Sequence, residues 1–261
     1  MLTSLQNPLV KDLRKLHQAK HRHRQRQFLL EGTHLIQEAL ATNYPLEIIC
    51  CTPQWQQKYS QQLWKELEER VNRLEIVSEA VLGAIATTVS PDGIIGVAPS
   101  PESAPLDLTS LGLALIGLQD PGNMGTIIRT ATATQVEGLL GDDQCVDFEH
   151  PKVLRASAGQ WFRLPMQRSD HLKAELEGYQ KKGWQLIATS PHSYDPYWDA
   201  NFLLPTIILM GSEGQGLPAD IFALANQTVS IPQATAVESL NVAIATALLL
   251  YEVRRQRWQR P

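Results

Sequence analysis

Past residue 110, apolar positions fall into short continuous runs. The runs at Leu111 to Leu118, Gly138 to Leu140, Trp184 to Thr189, Pro205 to Met210 and Gln227 to Ile231 read as strands. Helical spacing fills the gaps: about Gly125 to Thr134, Lys152 to Ala158, Leu172 to Lys182 and Pro218 to Ala225. A long terminal helix runs from Val237 to Trp258. Strands that alternate with helices can pair in parallel, and parallel strands are buried on both faces. The pattern therefore predicts an α/β fold, a mainly parallel sheet with helices on both faces.

The first hundred residues carry a weaker version of the same signal. Pro8 to Gln27 is polar, basic and helical in spacing. Phe28 to Gly32 reads as a strand, followed by a helix from Thr33 through Leu40. Leu46 to Cys51 is a strand, Gln54 to Glu69 a helix and Glu75 to Val77 a strand. Ser78 is placed to cap a helix over Ala80 to Ala86, and Gly93 to Ala98 closes the region as a strand. Three prolines within Ala98 to Pro105 interrupt both periods and read as an extended linker. The expected organisation is a smaller α/β domain at 1–98, a linker at 99–109 and a larger domain at 110–261.

Charge changes this picture only locally. The net charge of -4 by itself argues weakly against a nucleic-acid partner, but phosphate binding needs only a basic face. Lys11, Arg14, Lys15, Lys20, Arg22, Arg24 and Arg26 crowd the N-terminus, and Arg254, Arg255, Arg257 and Arg260 the C-terminus. These are either phosphate-binding surfaces or solvated helix faces. Cys50, Cys51 and Cys145 form neither a disulfide framework nor a zinc set. With no apolar run long enough to span a bilayer and no secretory leader pattern, the expected location is the cytoplasm. His150 and His192 sit beside prolines and read as loop residues, and no metal site is expected.

Three segments carry the candidate chemistry, each beginning at the end of a predicted strand, where ligands of open α/β sheets bind. The first is Leu118-Gln119-Asp120-Pro121-Gly122-Asn123-Met124-Gly125-Thr126-Ile127-Ile128-Arg129. Asp120-Pro121 reads as turn chemistry, and Gly122 and Gly125 as tight backbone positions. Arg129 falls about one turn into the next helix, where a guanidinium could clamp a phosphate. The second is Met210-Gly211-Ser212-Glu213-Gly214-Gln215-Gly216. It lacks the lysine ending of a nucleotide phosphate loop, and Glu213 suits a cationic or hydroxyl-bearing ligand or an orienting role toward Arg129. The third is Ser230-Ile231-Pro232, then Ser239, Leu240 and Asn241 at the start of the terminal helix. Ser239 and Asn241 are cap residues there, or site residues.

In this order the three segments resemble the motifs of the SpoU/TrmH family of RNA ribose 2'-O-methyltransferases, within the SPOUT superfamily. The resemblance extends from Leu111 to Arg257 and includes Arg155-Ala156-Ser157-Ala158-Gly159 with Leu164-Pro165. Residues Phe28 to Gly32 with their helix, and Asp92-Gly93-Ile94-Ile95-Gly96, resemble the L30e-like RNA-binding domain that precedes many such enzymes. The resemblance implies a C-terminal trefoil knot, a homodimer formed through that domain, an RNA substrate (ribosomal or transfer RNA) and S-adenosylmethionine as cofactor. It implies cofactor contacts at Thr189, Met210, Gly211, Ile231 and Leu240. It implies a catalytic rim of Asn123, Arg129, Glu213, Ser239 and Asn241, with Arg129 either activating the ribose hydroxyl or stabilising the forming alkoxide. Departures from the family pattern fall at Ser212, at Gln233, where methionine is frequent, and in Ala234-Thr235-Ala236. The competing reading is a non-catalytic RNA-binding protein with the same fold. A dinucleotide-binding enzyme is excluded by the missing Gly-x-Gly-x-x-Gly.

Overall fold

The computed structural model describes the chain except for Gln62, Ser103, His192, Glu213, Thr235, Ala236, Glu238 and residues 259–261. It forms two compact units, Met1–Glu102 with Asp147–Phe162, and Ser103–Val146 with Arg163–Pro261. The sequence reading left 147–162 in the second domain, whereas this segment packs with the first.

In the first unit, β1 (Gln27–Glu31), β2 (Ile48–Cys51), β3 (Arg73–Ile76) and β4 (Ile94–Pro99) form a mixed sheet in the order β1-β4-β2-β3. Helices α1 (Pro8–Lys15), α2 (Ala19–Gln25), α3 (Thr33–Ala41), α4 (Pro53–Lys58), α5 (Leu63–Arg70) and α6 (Glu79–Ile85) join it. Val10 and Leu13 of α1, with Val81, Leu82 and Ile85 of α6, bury one face over Leu29, Cys50 and Ile95. The helix expected over Gln54 to Glu69 is two helices, because the chain turns at Ser60 and Gln61 and Trp64 N–H reaches back to the Tyr59 carbonyl at 3.1 Å. Ser78 caps α6 by accepting from Val81 N–H at 3.3 Å.

Three contacts hold the 147–162 segment to this unit. Arg22, 1% exposed, donates to Asp147 from Nε at 2.9 Å and Nη2 at 2.5 Å, and its Nη1 donates to the carbonyls of Leu16 and His17. Arg155 pairs with the buried Glu31 at 3.2 Å. Trp161 packs on Phe28 and Tyr44, with ring centroids 5.0 and 5.6 Å apart. Arg22 therefore leaves the basic face that the sequence suggested. It is a structural ion pair, while Lys11, Arg14, Lys15, Lys20, Arg24 and Arg26 remain exposed.

The second unit holds β5 (Leu111–Ile116), β6 (Gly138–Asp142), β7 (Met166–Ser169), β8 (Gln185–Thr189), β9 (Thr206–Gly211) and β10 (Gln227–Val229). They lie in the order β10-β8-β9-β5-β6-β7, and every neighbouring pair is parallel. The expected mainly parallel sheet is thus present. Its central strand β5 is buried along its whole length, as a parallel strand covered on both faces must be. Helices α7 (Pro121–Ala133), α9 (Leu172–Lys181), α10 (Ala219–Phe222) and α11 (Val242–Arg257) belong here, whereas α8 (Pro151–Ala156) belongs to the first unit. Ala114, Ile116, Leu186 and Leu209 pack with Leu172 and Leu176 of α9 and Ile221 of α10. On the other side α11 packs against α7 and reaches β9. Strand β7, Met-Gln-Arg-Ser, was invisible in the sequence because a polar edge strand has no hydrophobic alternation to show. The second half of the linker is not free, since Leu108 is buried against the sheet.

Candidate active site

Strand order reverses at β5: the chain passes from β5 to β6 on one side, while β9 and β8 lie on the other. A crevice opens at such a switch point, beyond the carboxyl ends of the strands. Here a cavity of about 580 Å³ lies at the ends of β5, β6 and β9, lined in part by Leu118, Asp120, Asp142, Ser212 and Gly216. The loops after these strands are tied together. Gly117, at φ +66°, donates its N–H to both oxygens of Asp142 at 3.0 and 3.1 Å. Val146 N–H bonds the Leu118 carbonyl at 2.8 Å. Cys145 is buried between them, and burial, with the nearby Asp142 carboxylate, pushes its thiol up to about 12. It is therefore a packing residue and not a nucleophile.

Helix α7 starts earlier than its spacing suggested. Asp120 is its N-cap, accepting from Asn123 N–H at 2.8 Å, and Pro121 fills the first turn, where a missing N–H costs nothing. Gly122 and Gly125 are thus helical, not turn, positions, and Arg129 lies more than two turns into the helix rather than about one. Helix α11 starts later than expected, at Val242. Asn241 is its N-cap, accepting from Ala243 N–H at 3.0 Å and Ile244 N–H at 3.3 Å. Ser239 therefore lies in the exposed approach to the helix and not within it.

The structure brings several site candidates together. The Asn241 amide donates to Asn123 Oδ1 at 3.0 Å, joining the first and third segments. Thr189, at the end of β8, donates to the Met210 sulfur at 3.7 Å and pairs in register with Val229 of β10, two residues before Ile231. Met210 and Gly211 end β9 beside Leu115 and Ile116 of β5. At Gly211 a Cβ would lie 2.2 Å from the Gly216 carbonyl group, so the loop can fold back on the strand end only over a glycine. Ile231 and Leu240 are half-buried. Arg129 is exposed on α7, about 120° around the helix from Asn123, and its guanidinium makes no hydrogen bond or ion pair with the described residues. Glu213 lies outside the described residues, as does His192. The side-chain oxygen of Gln233 is buried with no partner among the described residues. Those residues contain no cluster of three metal-ligating side chains, and no helix among them is long and apolar enough to cross a membrane.

An all-parallel sheet with a crevice at its switch point, and polar side chains of two distant segments joined at its rim, defines an α/β ligand-binding or group-transfer domain. Comparison with known proteins gives the family. Residues 110–251 match the SpoU rRNA Methylase family, and residues 7–96 match the MRM3-like substrate binding domain. The chain belongs to the SpoU rRNA methylase family. It is 48% identical over 259 residues to an uncharacterized tRNA/rRNA methyltransferase of Synechocystis, covering 98% of this chain and 94% of that one. It is 30% identical over 253 residues to the 23S rRNA (guanosine(2553)-2'-O)-methyltransferase of Bacillus subtilis, covering 97% and 98%. The crystal structure of an AdoMet-bound rRNA methyltransferase from Sinorhizobium meliloti superposes with a TM-score of 0.86 at 32% identity, covering 99% of this chain and 98% of that one.

Proposed function

We propose that the protein transfers a methyl group from S-adenosylmethionine to a ribose 2'-hydroxyl of ribosomal or transfer RNA. The observation that carries the reading is the Asn241–Asn123 bond beside the Gly211 loop, which sets the first and third family motifs side by side at the rim of the sheet. The residues fit the cofactor. Gly211 keeps the loop tight against the end of β9, Met210 and Thr189 are in contact, and Ile231 and Leu240 offer half-buried apolar surface. Thr189, Met210, Gly211, Ile231 and Leu240 would hold it, largely through backbone groups. Bound there, the cofactor supplies a methyl group activated by its sulfonium.

The chain's own residues then position the RNA. Arg129, exposed and free of ion pairs among the described residues, is available to an RNA phosphate or to the developing alkoxide. A guanidinium stays protonated, so it acts by charge and geometry and not as a base. Asn123 and Asn241 fix the rim against each other, with Ser239 in the approach to it. Glu213 completes the set by its place in the second motif. The trefoil knot belongs to the same reading, threaded through the segments after β9.

The exposed side chains Ile244, Leu248 and Tyr251 recur at helical spacing on α11, although Val242, Leu249 and Val253 are buried. Such a stripe fits a homodimer interface. Three reduced, buried cysteines suit the cytoplasm. The exposed cations of α1 and α2 fit RNA phosphates.

Titration calorimetry with S-adenosylmethionine should give one site per chain. Labelled methyl groups should enter ribosomal or transfer RNA and be recovered as 2'-O-methylnucleosides. Methylation on a base, or no transfer to either RNA, would sink the reading.

A further inference from the structure

The cavity at the ends of β5, β6 and β9 has a chemistry that the methyl-transfer reading does not by itself use. At about 580 Å³ it falls within the ~300–1,000 Å³ typical of sites for small organic groups. Its wall carries the carboxylates of Asp120 and Asp142 and the amides of Gln119 and Gln144, with no lysine or arginine among the described residues. Two carboxylates in the lining disfavour a phosphate there. Leu118 and Ile116 form part of its lining. The cavity also adjoins the reaction rim, since Asp120 accepts from the backbone N–H of Asn123, whose side-chain oxygen accepts from Asn241.

We propose that this cavity receives the base of the target nucleotide, and that Asp142 selects guanine or cytosine over uracil. The proposal rests on the methyl-transfer reading for the word target, but the pocket can be tested without turnover. Sequence-specific RNA recognition commonly takes an unstacked base by its hydrogen-bonding edge. Asp142 is held ready for that task, because the Gly117 N–H bridges both of its oxygens while each oxygen keeps a further lone pair. A carboxylate can only accept. Guanine presents two adjacent donors, at N1 and the 2-amino group, and cytosine presents its 4-amino group. Uracil presents one N–H flanked by two carbonyl oxygens, which would face the carboxylate across an unfavourable gap. Gln119 and Gln144 supply the amide donors that the carbonyl of a guanine or cytosine needs.

The test uses the full chain with saturating S-adenosylhomocysteine, so that the cofactor site does not bind nucleosides. Ligand-observed saturation-transfer NMR is run with guanosine, cytidine and uridine. Guanosine and cytidine should bind, and uridine should bind at least several-fold more weakly. Asp142→Asn keeps an oxygen for Gly117 and should abolish that preference. Gln144→Ala, at an exposed position, should weaken guanosine and cytidine without unfolding the chain. Affinity for S-adenosylmethionine should be unchanged in both variants. Equal binding of all three nucleosides, an unaltered preference in Asp142→Asn or a loss of cofactor affinity would overturn the proposal. Recovery of 2'-O-methyluridine as the methylated product would do the same. Selective nucleoside binding with no methyl transfer to RNA would support the base pocket while removing the reaction assigned above.

Discussion

Asn241 and Asn123 are 118 residues apart in sequence and 3.0 Å apart in the fold. Each also has a local duty: Asn241 caps α11 through its oxygen, and the Asn123 amide is held by the Asp120 cap of α7. One contact therefore fixes the starts of two helices relative to each other at the edge of the crevice. Capping and alignment can be separated because Asn241 caps with its oxygen and reaches Asn123 with its nitrogen. Asn241→Asp should keep the cap, lose the donor and reduce methyl transfer with little change in melting temperature. Asn241→Ala should lose both, with a stability cost of about 1 kcal/mol. Thermal melts alongside single-turnover rates distinguish the two.

Arg129 is exposed, so its removal should not disturb the fold. Arg129→Ala should lower the single-turnover rate by roughly 100-fold or more, the scale of a lost electrostatic stabiliser. S-adenosylmethionine affinity should stay at the wild-type value. A near-normal rate would show that the guanidinium has no part in the transfer step.

The N-terminal basic residues divide into two groups. Neutralising Arg14, Lys20, Arg24 and Arg26 together should weaken RNA binding and flatten its dependence on salt, since fewer counterions are released. Arg22→Ala should act differently. It removes the main cation of the Asp147 carboxylate, which is 12% exposed and keeps, among the described residues, only the Glu149 N–H and His23 at 3.4 Å, and should cost about 3 kcal/mol of stability. Filter binding at several salt concentrations reads the first effect and chemical denaturation the second.

The α11 stripe predicts the assembly state. Ile244 and Tyr251 are 53% and 57% exposed, so a charge there should not disturb the core. Ile244→Asp with Tyr251→Glu should convert a dimer to a monomer in light scattering. A monomeric wild-type chain at micromolar concentration would rule the interface out.

Glu149 gives a pH prediction. Burial, aided by the Asp147 charge, pushes its carboxyl up to about 7, against a hydrogen bond from Ser100 and the charges of Arg22 and Arg26 that pull the other way. The folded chain thus holds this proton more tightly than the unfolded chain. Its contribution is fully present below pH about 4.5 and is lost as the pH rises through about 7. Glu149→Gln should remove that decline, read as a flatter profile of unfolding free energy between pH 5 and 8, while other titrating groups contribute equally to both proteins.

What the sequence determined by itself was set by local burial. Apolar runs such as Leu-Gly-Leu-Ala-Leu-Ile and Thr-Ile-Ile-Leu-Met can satisfy their length and hydrophobicity only as strands covered on both faces, which dictates helical crossovers and parallel pairing. Parallel pairing in turn puts the loops after β5, β8, β9 and β10 at one rim, so the region of the candidate site was legible. Tertiary structure decided what local pattern does not encode. Arg22 reads like its cationic neighbours, but a carboxylate 125 residues away makes it a buried ion pair. The 147–162 segment follows β6 in sequence, yet Arg22, Glu31 and Phe28 supply the partners for its charge and its aromatic rings, and these lie in the first unit. The start of α7 was misplaced because two glycines looked like a turn, while an Asp cap and a proline outweighed their poor helix propensity. Hydrophobic period is written in neighbouring residues, whereas the pairing of a polar side chain depends on which distant segment arrives beside it.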